Sequence, residues 1–251
     1  MKKVLIVFWH GLGDNISVTP ALRKYKQITG NYIGWAMLKR FKPAHLMDKC
    51  PYIDKIHWIS DAWNDFSGYK EGIKEIQKEA ETIAEEHGYD EVKMIPFNGN
   101  GVHRIFRGAR DIGVTLEPNE VHTEWWYEPS EMIPFYQKIN LPKKFVFFHG
   151  IAGAPSKSWP REIAIKRIEK DFPGMPIISP DFTWDYKQFP IAFAVDVMKR
   201  ATHRYIVDSS LYYIAHALDI PMDLVYFKRG PVVYTDNCSL HGSSERITYT
   251  P

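Results

Sequence analysis

The sequence predicts an α/β protein with two doubly wound, Rossmann-like domains. Apolar, strand-like runs alternate with amphipathic helical patterns, an order typical of parallel sheets covered by helices. The alternation stops once, between Glu117 and Pro142, and then resumes. Each half opens in the same way, with an apolar strand that runs into a His-Gly pair, at His10 and at His149. We therefore expect two domains that face each other across a cleft, with ligands beyond the carboxyl ends of the strands.

The composition is that of an ordinary globular protein. The 251 residues are 45% hydrophobic and 25% charged, with a formal net charge of +2. These values exclude disordered and collagenous chains, and the balanced charge gives no electrostatic argument for nucleic-acid binding. The opening apolar run, Val4 to Trp9, is too short for a membrane span, and Cys50 and Cys238 are too few for a disulfide framework. We expect a cytoplasmic protein without a transmembrane segment, at most peripheral to the inner face of the membrane.

Hydrophobic periodicity defines the elements of the first half. In the longest helix Ile73 and Ile76 recur on one face, and Gly88 ends it. A shorter helix follows the first strand, with Asp14 or Asn15 as its N-cap. In order, the pattern predicts a strand at Lys3–Trp9, a helix from about Asn15 to Ile28, a strand at Tyr32–Leu38, a helix at Tyr69–His87 and a strand at Glu91–Pro96.

Prolines and a cluster of three aromatic residues, Trp125 to Tyr127, interrupt the pattern between the two halves. We interpret this stretch as an interdomain segment with a partly ordered loop. The second half predicts strands at Phe145–His149, Met175–Ser179, Arg204–Val207 and Met222–Phe227, and helices at Arg161–Lys170, Ile191–Arg200 and Ser209–Leu218. The expected domains are residues 1–135 and residues 143–235, followed by a C-terminal tail at residues 236–251.

The first candidate for chemistry is the turn after the first strand, where Gly11 and Gly13 follow His10. Two glycines let the backbone turn tightly and approach a ligand, and the helix N-terminus beyond offers unpaired N–H groups to an anion. A dinucleotide fingerprint would need a third glycine where Ile16 stands. Asp14 has two interpretations: it caps the helix, or it acts as a general base at the mouth of the cleft.

The second candidate is a lysine between two hydroxyl residues, in the loop after the first strand of the second half. Lys157 is flanked by Ser156 and Ser158 and precedes a helix that begins after Pro160. There it can meet phosphate oxygens as a point charge beside free amides. The spacing is not that of a Walker loop. The alternative interpretation is a solvated loop lysine.

The third candidate is the run Asp208-Ser209-Ser210, directly before a predicted helix. It can cap that helix, or its amides and hydroxyls can face a pyrophosphate. Signals for a metal are missing, since the sequence has no Asp-x-Asp pair, no His-Glu-x-x-His and no Cys-x-x-Cys. We therefore predict no metal ligands.

Four segments, which keep their order along most of the chain, resemble motifs of the heptosyltransferase family, glycosyltransferase family 9. They are Gly13–Arg23, similar to Gly-Asp-x-(apolar)-x-x-Thr-Pro-Ala-Leu-Arg; Cys50–Ile56, similar to Asn-Pro-Tyr-Ile-Asp-x-(apolar); Pro155–Pro160, similar to Ser-Lys-x-Trp-Pro; and Val207–Pro221, similar to Asp-(Ser/Thr)-Gly followed by Ala-Ala-Leu-Gly-x-Pro. The resemblance implies the two-domain GT-B fold. It also implies a metal-independent glycosyltransferase with no cofactor, whose co-substrate is a nucleotide-diphosphate sugar.

The resemblance also implies roles for individual residues. Asp14 becomes the general base that deprotonates an acceptor hydroxyl, by family default on a cell-envelope saccharide. Lys157, Ser209 and Ser210 become ligands of the donor diphosphate. The other donor-site candidates are Ser156, Asp208 and Gly150, and the candidates for the cleft and the acceptor are Gly11, Gly13, His10, His149, Arg107, Trp126 and Tyr213.

Two alternative functions follow from the residues. Ser210 and Tyr213 stand where the family has Gly and His, which leaves the donor's identity open. These departures motivate a non-catalytic sugar-nucleotide or glycan-binding module. The second alternative is a glycosyltransferase that acts on a modified base in DNA, because Trp126, its aromatic neighbours and the basic segment Arg104–Arg110 could stack on sugars or on bases. For Arg104–Arg110 itself we favour a solvated helix face over contact with an anionic acceptor.

Overall fold

The computed structural model describes residues 1–61, 69–96, 104–153, 157–184, 189–227 and 245–249. The chain divides into two compact units, Met1–Trp126 (unit 1) and Tyr127–Pro251 (unit 2). The division lies inside the Glu117–Pro142 segment, where the alternation of strands and helices stops. No helix in the described ranges is long and apolar enough to cross a membrane.

Unit 1 is built on a parallel sheet of four strands in the order β3-β2-β1-β4. The strands are β1 (Lys3–Val7), β2 (Tyr32–Leu38), β3 (Lys55–Ile59) and β4 (Glu91–Met94), and the helices are α1 (Leu12–Ser17), α2 (Thr19–Thr29), α3 (Tyr69–His87) and α4 (Arg104–Ile112). Short 3-10 turns lie at Lys39–Ala44 and Pro118–Glu120. The chain moves outward from β1 to β3 and then crosses back to place β4 on the other side of β1. The topological switch point, where ligands bind in such sheets, is therefore between β1 and β4.

One buried cluster of unit 1 lies between the sheet and α3. Leu5 and Val7 from β1 pack with Ala36 from β2 against Ile76 and Ala80 from α3, all fully buried. These helical positions are four residues apart, so they form one apolar stripe facing the sheet. Because β1 and β2 are buried on both faces, they consist almost entirely of apolar residues, as central parallel strands do. The carboxyl ends of the strands are therefore held rigidly.

Unit 2 is built on a parallel sheet of five strands in the order β6-β5-β7-β8-β9. The strands are β5 (Val146–His149), β6 (Ile177–Ile178), β7 (His203–Val207), β8 (Asp223–Phe227) and β9 (Glu245–Tyr249), and the helices are α5 (Ile133–Tyr136), α6 (Arg161–Asp171), α7 (Ile191–Arg200) and α8 (Ser210–Ala217). A 3-10 turn lies at Pro129–Met132. Here the chain reverses direction at β5, so the switch point is between β5 and β7.

The segment that enters unit 2 is fixed to α7 by a buried carboxylate. Asp196 accepts hydrogen bonds from the hydroxyls of Tyr127 (2.9 Å) and Tyr136 (2.6 Å). Burial, and then the bond to Asp196, raise the pKa of both tyrosines, so the phenols stay protonated donors. Arg200 pairs with the same carboxylate at 3.3 Å. The predicted interdomain segment is thus ordered at these positions.

Most predicted elements are confirmed, and the differences have identifiable causes. The predicted helix from Asn15 to Ile28 is two helices, because Pro20, which has no backbone N–H, occupies the first turn of a new helix, α2. The hydrophobic pattern did not predict β3, a five-residue edge strand that contains Lys55 and His57. It also missed β9, which pairs with β8 inside the range predicted to be a tail.

Candidate active site

The turn between β1 and α1 is held in one geometry by its own side chains. Gly11, not Asp14 or Asn15, is the N-cap of α1, so that part of the prediction is wrong. Asp14 lies at the third helical position, and its Oδ2 accepts a hydrogen bond from the Gly11 N–H at 3.2 Å. The fully buried Asn15 donates to the Gly11 carbonyl at 2.9 Å and accepts from the indole N–H of Trp35 at 3.1 Å. The loop therefore presents Asp14 from a rigid support.

Asp14 forms an ion pair across the switch point of unit 1. Its Oδ1 lies 2.5 Å from an NH of Arg104, the first residue of α4, which follows β4. The Asp14 and Arg104 side chains are 24% and 12% exposed. The expectation that Arg104 belongs to a solvated helix face is therefore wrong. The carboxylate is oriented from both sides, by the Gly11 amide on one oxygen and by the guanidinium on the other, and it still has limited contact with solvent.

His10 and Gly13 shape the same turn. The His10 ring packs against Phe8 and Trp9, with centroid distances of 5.0 and 5.1 Å, and its Nε2 lies 3.1 Å from the carbonyl oxygen of Ile95. Burial lowers the pKa of His10, only partly opposed by the nearby Asp14 charge, so the neutral ring is favoured. Gly13 is the second residue of α1. The structure thus gives His10 a packing role that links the ends of β1 and β4.

The other acceptor candidates of unit 1 differ in accessibility. Arg107 lies one helical turn after Arg104 on α4, and burial, followed by repulsion from Arg104, lowers the pKa of Arg107. Trp126 is half-buried and meets the ring of Tyr52 edge-on at 5.5 Å. Its neighbour Trp125 is 4% exposed and donates from its indole N–H to the Leu46 carbonyl at 2.8 Å. The aromatic cluster is therefore divided between the core and the surface.

A second ion pair spans the switch point of unit 2. Lys157, from the loop after β5, places its Nζ 2.7 Å from Oδ2 of Asp208, which follows β7. Tyr213, on the first turn of α8, donates its hydroxyl to Oδ1 of Asp208 at 3.3 Å. The Lys157 and Asp208 side chains are 28% and 14% exposed. The structure thus brings together three residues that the sequence had singled out, and it gives Tyr213 a place beside the predicted donor ligands.

The first turn of α8 leaves one hydroxyl unsatisfied. Ser209 occupies the N-cap position, but its side chain makes no capping hydrogen bond. Its Oγ is buried and has no hydrogen-bond partner among the described residues. Ser210 begins the helix. Hence capping by a side chain does not account for the Asp208-Ser209-Ser210 run. In the first turn of α8 the Tyr212 amide donates to the Ser209 carbonyl at 3.1 Å, so the candidate donors to an anion are the Ser209 hydroxyl and the amides of Ser210 and Leu211.

The end of β5 carries a feature that the sequence analysis did not find. Asp181, in the loop after β6, accepts from the Gly150 N–H at 2.6 Å with Oδ2, and its Oδ1 lies 2.7 Å from Nδ1 of His149. The His149 and Asp181 side chains are 14% and 9% exposed. Gly150, a predicted donor ligand, therefore uses its amide internally. Asp181 lies two residues after the end of the predicted strand Met175–Ser179, and that position at a strand end was the signal that could have found it.

Close packing around position 150 leaves no room for a Cβ atom. Replacement of Gly150 tests how tightly the residues after β5 are packed. A Cβ there would lie 2.3 Å from Cζ of Phe148 and 3.0 Å from the Trp159 carbonyl oxygen. Phe148 is 1% exposed and cannot move aside without disturbing the core. We expect Gly150→Ala to lower the free energy of unfolding by about 1–3 kcal/mol, measured by urea denaturation. Gly153→Ala in the same loop, where nothing lies within 4 Å of a new Cβ, is the control and should leave stability nearly unchanged.

Ser156, a predicted donor ligand, lies outside the described residues. Within the described ranges, no group of three or more His, Cys, Asp or Glu side chains is placed to hold a metal ion. Unit 1 therefore offers a carboxylate, that of Asp14 in its ion pair with Arg104. Unit 2 separately offers the Lys157–Asp208 ion pair, the Ser209 hydroxyl without a described partner and the His149–Asp181 pair.

No protein-family model and no curated protein matches the sequence. Solved structures are similar over the whole chain. A family 9 glycosyltransferase from Veillonella parvula is 14% identical with a TM-score of 0.64, and the match covers 100% of this chain and 86% of that one. The ADP-heptose lipopolysaccharide heptosyltransferase II of E. coli is 13% identical with a TM-score of 0.61, covering 98% and 90%.

A third similar structure is the E. coli heptosyltransferase WaaC with ADP-2-deoxy-2-fluoro heptose. It is 16% identical with a TM-score of 0.54, and the match covers 98% of this chain and 92% of that one. At these identities the likeness is one of fold. It confirms the predicted resemblance at that level: the chain has the α/β, GT-B fold of the heptosyltransferases and family 9 glycosyltransferases.

Proposed function

We propose that the protein is a glycosyltransferase that moves a sugar from a nucleotide-diphosphate donor to a hydroxyl of a saccharide acceptor. One observation carries the proposal: each unit places a charged side chain at the switch point of its parallel sheet, Asp14 in unit 1 and Lys157 in unit 2. Transfer needs a carboxylate to accept a proton and a cation to stabilise a departing diphosphate. The GT-B fold supports the same assignment.

Asp14 is the proposed base. As the acceptor oxygen attacks the anomeric carbon, its proton passes to the carboxylate of Asp14, and the electrons of the breaking carbon–oxygen bond go to the diphosphate. A base must be held in line with the proton that it removes. The bonds from Gly11 and Arg104 fix the Asp14 carboxylate in this way, which supports the role.

Lys157 is the proposed ligand of the diphosphate. The diphosphate would compete with the Asp208 carboxylate for the ammonium group of Lys157. A diphosphate carries more negative charge than one carboxylate, and the N–H groups at the start of α8 favour an anion as well. The buried Ser209 hydroxyl, next to Asp208 in the loop between β7 and α8, is a further donor. In this proposal Asp208 holds Lys157 in place until the donor arrives.

The similar structures suggest which donor to test first. The E. coli heptosyltransferase II is named for ADP-heptose, and WaaC was solved with ADP-2-deoxy-2-fluoro heptose, so an ADP-sugar is the first donor to try. Ser210 and Tyr213 leave the sugar itself open. We propose a saccharide acceptor, by analogy a cell-envelope saccharide, and not DNA. Arg104 is paired with Asp14 and Trp125 is buried, so part of the basic and aromatic surface expected to meet bases is occupied.

A thermal-shift screen against ADP-, GDP-, UDP-, dTDP- and CMP-sugars tests donor binding. A ligand at 100 times its Kd stabilises the folded state by about 2.7 kcal/mol. In a chain of this size that raises the Tm by roughly 5–10 °C. We expect at least one diphosphate donor to give such a shift. CMP-sugars, which have a single phosphate, are the internal control and should give less; no shift with any diphosphate donor would contradict the proposal.

Turnover distinguishes an enzyme from a non-catalytic module. The donor that binds is incubated without any acceptor, and release of the nucleoside diphosphate is followed. We expect slow hydrolysis that an accepting saccharide accelerates, whereas tight binding without any release favours the binding module. We also propose metal independence, so the rate should be unchanged by EDTA.

A further inference from the structure

We propose that His149, oriented by Asp181, binds the donor diphosphate through Nε2 and gives it a proton during transfer. This rests on the proposed function, because it adds a second cationic group to the same donor site. The sequence analysis had placed His149 among the cleft and acceptor candidates. His149 lies in the second half of the chain, as predicted, and in unit 2 it is at the same end of the sheet as the residues proposed to hold the donor.

The position of His149 follows from the sheet. Val146 and Phe148 pack on the α6 side with Ala164 and Ile168, so His149, one residue further along β5, points to the opposite face. His149 pairs with Ile206 of β7, two residues before Asp208. Neighbouring strands are about 4.8 Å apart. His149 therefore lies at the switch point between β5 and β7, next to the strand end that carries Asp208 and the start of α8.

Asp181 leaves one ring nitrogen for a ligand. Its carboxylate is fixed by the Gly150 amide, and its Oδ1 takes the hydrogen bond of Nδ1 in His149. No described residue holds Nε2 of His149, and the ring is 14% exposed. A ring fixed in this way accepts a hydrogen bond at Nε2 when neutral and donates one when protonated. A diphosphate arriving opposite the Asp181 carboxylate favours the protonated ring.

Other charged groups at this edge compete or cooperate with His149. Asp181 comes from the loop after β6, Lys157 from the loop after β5 and Asp208 from the loop after β7, and Lys157 and Asp208 are already paired. Arg161 at the start of α6 stacks on Phe182, with 4.2 Å between the guanidinium carbon and the ring centroid. Among the described residues, Asp181 is the one of these groups that bonds directly to His149.

The proposed step is balanced in protons and electrons. The acceptor oxygen forms a bond to the anomeric carbon and loses its proton to Asp14. The bond from that carbon to the diphosphate oxygen breaks, and its electron pair stays on the oxygen. Nε2 of His149 gives its proton to this oxygen, and His149 becomes neutral. Asp14 then loses its proton to solvent, and the neutral His149 takes up a proton from solvent when the next donor binds, which closes the cycle.

Two amide substitutions separate binding from structural support. In His149→Asn the side-chain N–H replaces Nδ1 and keeps the bond to Asp181, but nothing replaces Nε2. In His149→Gln the amide replaces Nε2 as an uncharged donor and loses the bond to Asp181. We expect His149→Asn to lower kcat/KM by roughly 10- to 100-fold, the effect of a lost hydrogen bond to a charged group. The kcat/KM of His149→Gln should lie between those of the wild type and of His149→Asn. A purely structural role predicts the opposite order, with His149→Asn close to wild type.

A matched control is available in unit 1. His45 also lies with its Nδ1 2.7 Å from a carboxylate oxygen, of Asp48, but both side chains are exposed. His45 has a positive φ of 49°, a conformation that Asn adopts readily. His45→Asn, which likewise keeps an N–H for its carboxylate, should therefore retain wild-type kcat/KM and show that replacing a carboxylate-bonded histidine by asparagine does not by itself change the rate.

Proton uptake on binding is the decisive measurement. Calorimetric titrations with ADP-, GDP- and UDP-glucose, in two buffers of different ionisation enthalpy, report the protons taken up per donor bound. The diphosphate of a nucleotide sugar is a diester and does not itself titrate near neutral pH. We expect uptake by the wild type at pH 7.5 and none by His149→Asn. We also expect uptake to be lost in Asp181→Asn, whose amide N–H favours the neutral ring.

The outcomes distinguish this proposal from the proposed function. If none of the three sugars binds the wild type, the donor site itself is wrong. If the wild type binds and turns over but shows no proton uptake, or if His149→Asn retains it, the role of His149 is overturned and the proposed function stands.

Discussion

Asp14→Asn is expected to remove sugar transfer while the nucleotide-sugar donor still binds. The amide keeps the shape of the carboxylate and can still accept from the Gly11 N–H, but it cannot take a proton from the acceptor. Loss of a positioned base lowers kcat by about 10²- to 10⁴-fold. Donor affinity should change little, because the proposed diphosphate ligands are all in unit 2. Turnover is measured with saturating donor, and donor affinity by calorimetry.

The control for this substitution must separate chemistry from folding. Asp90→Asn also removes a carboxylate that accepts a hydrogen bond from a backbone N–H, that of Lys3 at 2.7 Å. Asp90 lies at the amino ends of β1 and β4, whereas Asp14 follows the carboxyl end of β1. Asp90→Asn should leave turnover unchanged. Asp14→Asn also weakens the ion pair with Arg104, so unfolding by urea is measured for both variants. Turnover of folded Asp14→Asn within a few-fold of wild type would show that Asp14 is not the base.

Lys157→Ala is expected to weaken binding of the diphosphate donor, because the donor loses the cation that meets its phosphates. A hydrogen bond to a charged group contributes about 1.5–3 kcal/mol, so the Kd of a diphosphate donor should rise roughly 10- to 100-fold. The substitution also leaves the Asp208 carboxylate, 14% exposed, without its cation beside the phosphate site. Calorimetry with the donor found in the thermal-shift screen provides the measurement. Lys166→Ala, on the exposed surface of α6, makes the same change in net charge and is the control.

A double substitution tests whether Asp208 and the donor compete for Lys157. If they do, Lys157→Ala with Asp208→Asn should bind donor more tightly than Lys157→Ala alone, because the repelling carboxylate is gone. An unchanged Kd in Lys157→Ala would remove Lys157 from the donor site. Additive effects of the two substitutions would show that the ion pair and the donor do not share the same ammonium group.

Sequence patterns were sufficient where an element carries its own periodicity. The bounds of β2, α3 and α7 agree with the prediction because each has an uninterrupted apolar pattern, and Gly30 and Gly88 end helices with positive φ. The patterns failed for short edge strands, where tertiary pairing decides the structure. β3 and β9 are such strands: each has only five residues and lies at the edge of its sheet.

The sequence predicted individual residues of the candidate site but not the residues that they contact. Asp14, Lys157 and Asp208 were found because each belongs to a local motif at the end of a strand. The residues that they contact could not be predicted from the neighbouring sequence. Arg104 is 90 residues from Asp14 in sequence, and Asp181 is 32 residues from His149. Contacts of this kind depend on strand order, which periodicity does not determine.

The strand order of unit 1 also has a consequence for how the protein becomes active during folding. β1 is the first strand of the chain, yet its second neighbour is β4, so Val4 pairs with Glu91. Parallel pairings over such distances form late, because the long loop between them must first be closed. Asp14 is therefore synthesised early but meets Arg104 only after the fourth strand has docked. An incompletely folded unit 1 contains the carboxylate without its guanidinium partner, so formation of this ion pair reports completion of the sheet.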